Sequence, residues 1–395
     1  MTRLIDRAHL STQARYTGRT RYTDRTSRTR LTAGLAALAA AAVALSGCSG
    51  GSSSRDETSA AATSLADFGT LADLEAKAKE EAALNVIGLP RNWANYGKII
   101  DLFKEKYPEI KITESSPDAS SAEIVGAAKT NKGLDTSPDV FDIGLSVVAQ
   151  NIDLFTPYKV ETWDQIPDDM KDPEGLFTGN YGGYMSIGFD SSRFEAPQTL
   201  QDLLKPEYRG AVALNGDPTQ AGAAFGAVGF ASIQNGGSAD DFQPGIDFFG
   251  QMHKAGNLLK VDVTEATITS GETPVVFDWD YNNIAFAKNN PKWETVLFPD
   301  LGYASYYNYT VNADAPHPAA ARLWLEHVYS DEVQNLWLEG GARPARLEAM
   351  IADGTANKEA AQALPPAPAK VVVLTNEQNE RAGKLLGEQW AAVVK

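Results

Sequence analysis

"LNVIGLPRNWANYGKIIDLFKEKYPEIKITE", residues 84–114, reads as strand, helix, strand. The first seven residues are a short apolar run punctuated by Gly88 and Pro90, as a buried strand is. Trp93, Tyr96, Ile99, Ile100, Phe103 and Tyr107 then recur on one 3.6-period face, which predicts a helix over 92–108. "EIKITE" (109–114) is a second strand, followed by the polar turn "SSPDASSAE". Residues 121–129 predict another helix and "DVFDIGL" (139–145) a third strand. Strand, helix, strand, helix, strand is the rhythm of a parallel α/β sheet.

Further on, "YMSIGFD" (184–190) is an isolated strand before the rhythm changes. A short strand at Ala211–Leu214 precedes the polar loop "NGDPTQ", and helices are expected at 220–233 and 244–255. "TPVVFDWD" (273–280), "ETVLFP" (294–299) and "YYNYTVNA" (306–313) read as strands. Pro318 opens a helix whose buried face holds Leu323, Trp324, His327 and Val328. Near the end, Thr375 and Gln378 have the spacing of a capping box. Roughly 310 residues of this kind exceed one comfortable hydrophobic core, so two lobes are expected. Residues 80–187 with 308–395 would form lobe 1, and residues 191–302 an inserted lobe 2. The strands near 187 and 308 would be the crossings.

The N-terminus has a different character. Residues 1–30 carry eight arginines and two acids, and Leu31–Leu45 are apolar or small without charge. This is the pattern of an export signal, too short to span a bilayer as an ordinary helix. The only cysteine, Cys48, follows Leu45-Ser46-Gly47. A lone thiol can form no internal disulfide. Residues 45–48 resemble the lipobox of bacterial lipoproteins, which implies a signal peptide over 1–47 and a lipid anchor on Cys48. Residues 48–66, rich in Gly, Ser, Ala and Thr, are expected to be a flexible tether. The chain has 35 basic and 51 acidic residues, of which the leader takes 8 and 2, leaving 27 against 49, or −22. That balance speaks against nucleic acid and against an electrostatic grip on anionic lipid.

The stretches "GLPRNWANYGKIIDLFKEKYPEIKI", "TPYKVETWDQIPDDMKDPEG", "LLKPEYRGAVALNGDP", "SGETPVVFDWDYNN" and "APHPAAARLWLEHVYSDEVQNLWL" resemble solute-binding proteins of ABC importers. The resemblance covers residues 84–395 and lies in the branch of spermidine/putrescine-, ferric-iron- and aminophosphonate-binding proteins. It implies an α/β, two-lobed type II periplasmic-binding-protein fold with two crossing strands. It also implies a monomer outside the cytoplasm that closes over a small-molecule solute and presents it to an ABC permease. No cofactor or metal is called for.

In open α/β sheets the ligand sits beyond the carboxyl ends of the strands. That rule nominates Trp93, Asp118, Asp217 and Thr219 in loops, and Asp278, Trp279, Asp280 and Tyr281 at the end of "VVFDWDY". Tyr307 on the second crossing strand joins them through the resemblance. Carboxylate beside aromatic face suits an ammonium group, through cation–π contact and charge-assisted hydrogen bonds. Core filling by Trp279 and helix capping by Asp217 or Thr219 are the alternatives. Where polyamine binders place a Trp and an Asp on the second crossing strand, this chain has Ser305 and Tyr307. Where ferric binders place two adjacent tyrosines, it has Asp280-Tyr281. The expected ligand is therefore a small cationic or zwitterionic amine, with ferric iron, an aminophosphonate or thiamine as alternatives. A secreted hydrolase is the rival class, but residues 52–395 hold no GxSxG, HExxH or cysteine nucleophile.

Overall fold

The computed structural model describes residues 55–394. The expected signal segment and Cys48 lie outside the described residues. The first element, α1 (Glu57–Ala61), falls inside the stretch expected to be tether. It is tied down: buried Arg322 donates to the carbonyls of Ala60 and Ala62, both at 2.8 Å, and to Pro318 O at 3.0 Å.

The sequence rhythm that opens the chain is realised as α2 (Leu71–Glu81), β1 (Ala83–Ile87), α3 (Tyr96–Lys106), β2 (Lys111–Ser115), α4 (Ser121–Thr130), β3 (Val140–Gly144) and α5 (Leu145–Val148). Capping boxes start two of these helices: Thr70 with Asp73 for α2, Ser120 with Glu123 for α4. Each satisfies two amides that the first turn leaves without partners. α3 begins later than its periodicity suggests, because Asn92 and Trp93 belong to a turn in front of it.

After β4 (Phe155–Thr156) comes the long strand β5 (Thr178–Asp190), then β6 (Val212–Leu214), α6 (Gly222–Gln234) and α7 (Gln243–Ala255). α8 (Glu265–Ser270), β7 (Val275–Trp279), α9 (Asp280–Asn289), β8 (Trp293–Val296) and the second long strand β9 (Leu301–Asn312) follow. The chain finishes with α10 (Pro318–Val328), α11 (Asp331–Glu339), β10 (Arg343–Pro344), α12 (Leu347–Asp353), α13 (Lys358–Ala363), β11 (Lys370–Val372) and α14 (Asn376–Val393). Thr375 and Gln378 form the expected capping box at α14.

The sheet is mixed, not the single parallel sheet that the opening rhythm predicts. β1 and β2 form a parallel two-stranded sheet, from Ala83↔Lys111 to Ile87↔Ser115, and β6–β7 and β9–β11 are parallel pairs within the larger sheet. β3 instead pairs antiparallel with β9, from Val140↔Val311 to Gly144↔Tyr307. The reason is β9 itself, a late strand returning in the opposite direction along the edge that β3 offers. β5 and β9 pair antiparallel with each other around Tyr184↔Ala304 and Thr178↔Tyr309. Beyond that overlap β5 continues into pairs with β7 and β8, while β9 continues into β3 and β4. The two long strands thus join two groups of elements.

One cluster of buried apolar residues runs through both groups, with Trp324, Trp337, Phe103 and Tyr309 fully buried. α14, expected to belong with lobe 1, packs on α5 and also on α7, where Trp390 meets Phe249 at 5.9 Å. Among the described residues, no helix is long and apolar enough to cross a membrane.

Candidate functional site

Loops at the ends of β1, β2 and β3 face the loop after β6, the start of α8 and the first turn of α9. Between them lies a cleft of about 680 Å³. Asn92, Trp93, Asp118 and Asp142 stand on one wall; Asn215, Asp217, Glu265 and Asn282 on the other. Tyr181 of β5 and Tyr307 of β9, from the two long strands, line it between the walls.

The walls touch. Ala122 N donates to Gln220 O at 3.2 Å, and Asn92 Nδ2 to Glu265 Oε2 at 3.3 Å. Gly144 and Gly222 meet backbone to backbone, so that a Cβ on Gly144 would lie 3.2 Å from Gly222 Cα. The cleft is therefore held closed.

The turn carrying Trp93 is strained and pinned. Ala94 and Asn95 both adopt left-handed backbone, φ 44° and 67°, which asparagine tolerates but which costs Ala94 on the order of 1–2 kcal/mol. Arg91 braces it from one side through Asp101 and Glu114, and Asn95 Nδ2 from the other through Leu336 O at 2.7 Å. The result is a half-buried indole whose ring lies 5.9 Å from Tyr307 and 6.0 Å from Tyr281, edge to face. Tyr181 stacks on Tyr307 at 5.7 Å and on Trp337 at 4.4 Å.

Six carboxylates line the cleft: Asp118, Glu123, Asp142, Asp217, Asp262 and Glu265. No lysine, arginine or histidine lines it among the described residues. Glu123 caps α4, and Asp217 accepts from Thr219 N at 2.8 Å. Asp142 is different, being only 5% exposed. It accepts from the hydroxyls of Tyr96 and Tyr181, and burial pushes its pKa up to about 7. α6 opens toward the cleft through Ala221 and Gly222, with no side-chain cap and no acid in its first turn. Its free amides and dipole favour negative charge there. The cleft can thus hold a cation against acids and aromatic faces, and an anionic group at α6.

Residues 138–373, more than half of the chain, match the family model for bacterial extracellular solute-binding proteins. The chain belongs to that family. Solved structures agree on the fold. This solute-binding protein is similar to the periplasmic binding protein AgtB from A. tumefacien in complex with agropinic acid, at 15% identity and TM-score 0.64, covering 79% of this chain and 98% of that one. It is similar to AfuA from Actinobacillus pleuropneumoniae with fructose-6-phosphate bound, at 17% identity, TM-score 0.61, 79% and 98% covered. It is also similar to the spermidine/putrescine protein PotD from Streptococcus pneumoniae, at 16% identity, TM-score 0.55, 79% and 99% covered. No curated protein matches the chain. The fold is the α/β, two-lobed type II periplasmic-binding-protein fold with two crossing strands.

Of the residues nominated from sequence, the solute-binding protein brings Trp93, Asp118, Asp217 and Tyr307 to the cleft. Thr219 is exposed beside Asp217 and bonded to it. The other four lie behind the wall. β7 ends at Trp279, so Asp280 starts a helix and does not continue the alternation of the strand. Trp279 fills the core at 2% exposure, and Tyr281 is fully buried behind Trp93. Asp280 Oδ2 accepts from Arg343 Nη1 at 2.7 Å, its Oδ1 from the amides of Tyr184 and Tyr281. A Cβ on Gly183 would meet Asp280 Oδ1 at 2.4 Å, which is why glycine stands there. Asp278 accepts from Trp279 N at 2.7 Å and from the side chains of Asn215 and Asn282, and so orients two amides that do line the cleft. Burial pushes its pKa up to about 7.

Sequence reading missed Tyr96, Asp142, Tyr181, Asn215 and Asn282. The signal for Asp142 was present: a single acid inside the apolar strand "VFDIG". Two histidines have structural duties away from the cleft. His317 Nδ1 lies 3.0 Å from Asp139 Oδ2, and His327 Nε2 lies 3.1 Å from Ile99 O, with burial depressing its pKa to about 4.

Proposed function

We infer that this protein is a lipid-anchored, extracytoplasmic receptor that delivers a small cationic or zwitterionic amine to an ABC permease. The observation that carries the ligand class is the cleft lining, with six carboxylates and no basic side chain among the described residues. A cation entering there exchanges water for acids and for the faces of Trp93 and Tyr307, each face contributing ~0.5–2 kcal/mol. The uncapped start of α6 supports a zwitterion, with the ligand's anionic group at Gly222. Trp93, Asp118, Asp217 and Tyr307 would contact the ligand, with Thr219 holding Asp217 in place, while Asp278, Trp279, Asp280 and Tyr281 shape the wall from behind. Lobe 1 would comprise residues 80–187 with 308–395 and lobe 2 residues 191–302, with α14 bearing on both. The protein would act as a monomer.

Ferric iron is disfavoured by how the tyrosines are used. Tyr306 donates its hydroxyl to Asp169 O at 2.7 Å, which leaves Tyr307 without its neighbour in the cleft. Asp280 is committed to Arg343. A thermal-shift panel of putrescine, spermidine, 2-aminoethylphosphonate, thiamine, ferric citrate and neutral sugars tests the reading. An amine should raise the melting temperature by mass action. A rise only with sugars or iron would overturn it. Anchoring through Cys48 is tested separately: Cys48→Ala should move the protein from the membrane fraction to the medium.

A further inference from the structure

Four aspartates are buried at β3 and β7: Asp139, Asp142, Asp278 and Asp280. Two have a basic partner, Asp139 with His317 and Asp280 with Arg343. Neither lines the cleft. The other two are held by neutral donors alone among the described residues, and of these Asp142 reaches the cleft.

The surroundings of Asp142 are complete enough to show what is missing. From α3 comes the hydroxyl of Tyr96, itself 3.0 Å from that of Tyr309 on β9. From β5 come the hydroxyl of Tyr181 at 3.3 Å and the amide of Asn180, which makes no hydrogen bond of its own. Tyr281, Tyr307 and Tyr329 are the other nearby titratable groups, and burial raises Tyr281 as well. All are neutral near pH 7, since burial raises every one of these phenols above its ordinary value. Asp142 Oδ1 has no hydrogen-bond partner. A carboxylate taken out of water without a cation is costly, and the cost is normally met by a paired charge. The fold supplies such a charge to Asp139 and Asp280 and withholds it from the one buried aspartate on the cleft wall.

We propose that Asp142 selects for positive charge: the ligand's ammonium group is the counter-ion that the protein itself does not provide. This rests on the amine reading of the cleft and narrows it to a compact primary or secondary ammonium, because Trp93, Tyr181 and Tyr307 crowd the approach. Binding then fixes Asp142 as the carboxylate. Any molecule that held the carboxylic acid beforehand gives up that proton to solvent as the ammonium arrives, and the ligand's own N–H bonds stay intact.

The test uses the purified protein, titrated calorimetrically with methylammonium and with putrescine at about pH 6 and about pH 8, in buffers of different protonation enthalpy. Wild type should bind more tightly at the higher pH and release protons at the lower one. Asp142→Asn should weaken putrescine at least about tenfold and abolish both pH dependence and proton release. Tyr181→Phe, which keeps the carboxylate, should retain them. Equal putrescine affinity in wild type and Asp142→Asn would overturn the proposal while leaving the amine reading intact. Binding of neutral or anionic solutes with no response to either amine would overturn both. If Asp142→Asn does not fold, proton release by wild type decides: none at the lower pH overturns the assignment.

Discussion

Asp280 opens α9 with its carboxylate locked to Arg343 of β10, 2.7 Å away and 63 residues later in the chain. Arg343 also lies over the Tyr184 ring at 4.1 Å and donates to Pro365 O. The acid that looks most like a ligand group in "DWDY" is thus part of a bolt between segments. Removing one member of a buried pair strands the other, at about 3–5 kcal/mol. Asp280→Ala should lower stability by that amount in urea denaturation, and adding Arg343→Met should recover part of the loss.

The contact of Gly144 with Gly222 makes closure sensitive to one methyl group. Gly144→Ala places a Cβ 3.2 Å from Gly222 Cα and would wedge the walls apart. Ligand affinity should fall about tenfold or more, equivalent to about 1.4 kcal/mol, while chemical stability changes little. Small-angle scattering should show a larger radius of gyration with saturating ligand than wild type gives.

Stability of the ligand-free protein should fall as pH rises across the neutral range. Asp142 and Asp278 both have folded-state values raised from 3.8 to about 7, so the folded chain holds protons that the unfolded chain has released. Their stabilising contribution is full below about pH 4 and is lost by about pH 7, each amounting to about 4 kcal/mol in order of magnitude. His327 works the other way between about 4 and 6.5, since burial depresses it and acid must charge it. Melting curves from pH 5 to 8 should slope downward, and Asp142→Asn should make the slope shallower while Asp278 keeps the remainder.

Arg322 carries the N-terminal stretch. Its three hydrogen bonds hold the carbonyls of Ala60, Ala62 and Pro318. Arg322→Met keeps the apolar stem and removes the donors, leaving buried carbonyls without partners at about 1–3 kcal/mol each. The stretch around Glu57–Ala61 should then become the first site cut in limited proteolysis.

Local features were the legible ones. The capping box at Thr375, the helical face of Ile99, Ile100 and Phe103, and the loops bearing Trp93, Asp118 and Asp217 follow from spacing a few residues long. What escaped depends on partners far away in the chain. Nothing near Asp280 announces Arg343. The first half of β5, "TGNYGG", has little strand propensity, so Tyr181 went unnoticed although its ring stands between Tyr307 and Trp337. Its conformation comes from pairing with β9, a segment more than a hundred residues on. Asp142 was visible as an oddity in an apolar strand, but its tyrosine ring gathers from α3, β5 and β9.

α14 lies against α7 on one side of the molecule and α5 on the other. Arg381 and Gln378 bind Asp240, and Trp390 packs on Phe249, so the helix travels with the α7 side. On the opposite seam α14 packs on α5 to a similar extent, with Gly383 close to Gln150 but no side-chain hydrogen bond between the two helices among the described residues. A hinge motion that parts α5 from α7 would have to break one of these two packings, and the α5 side, which lacks the Asp240 pairing, is the one expected to shear.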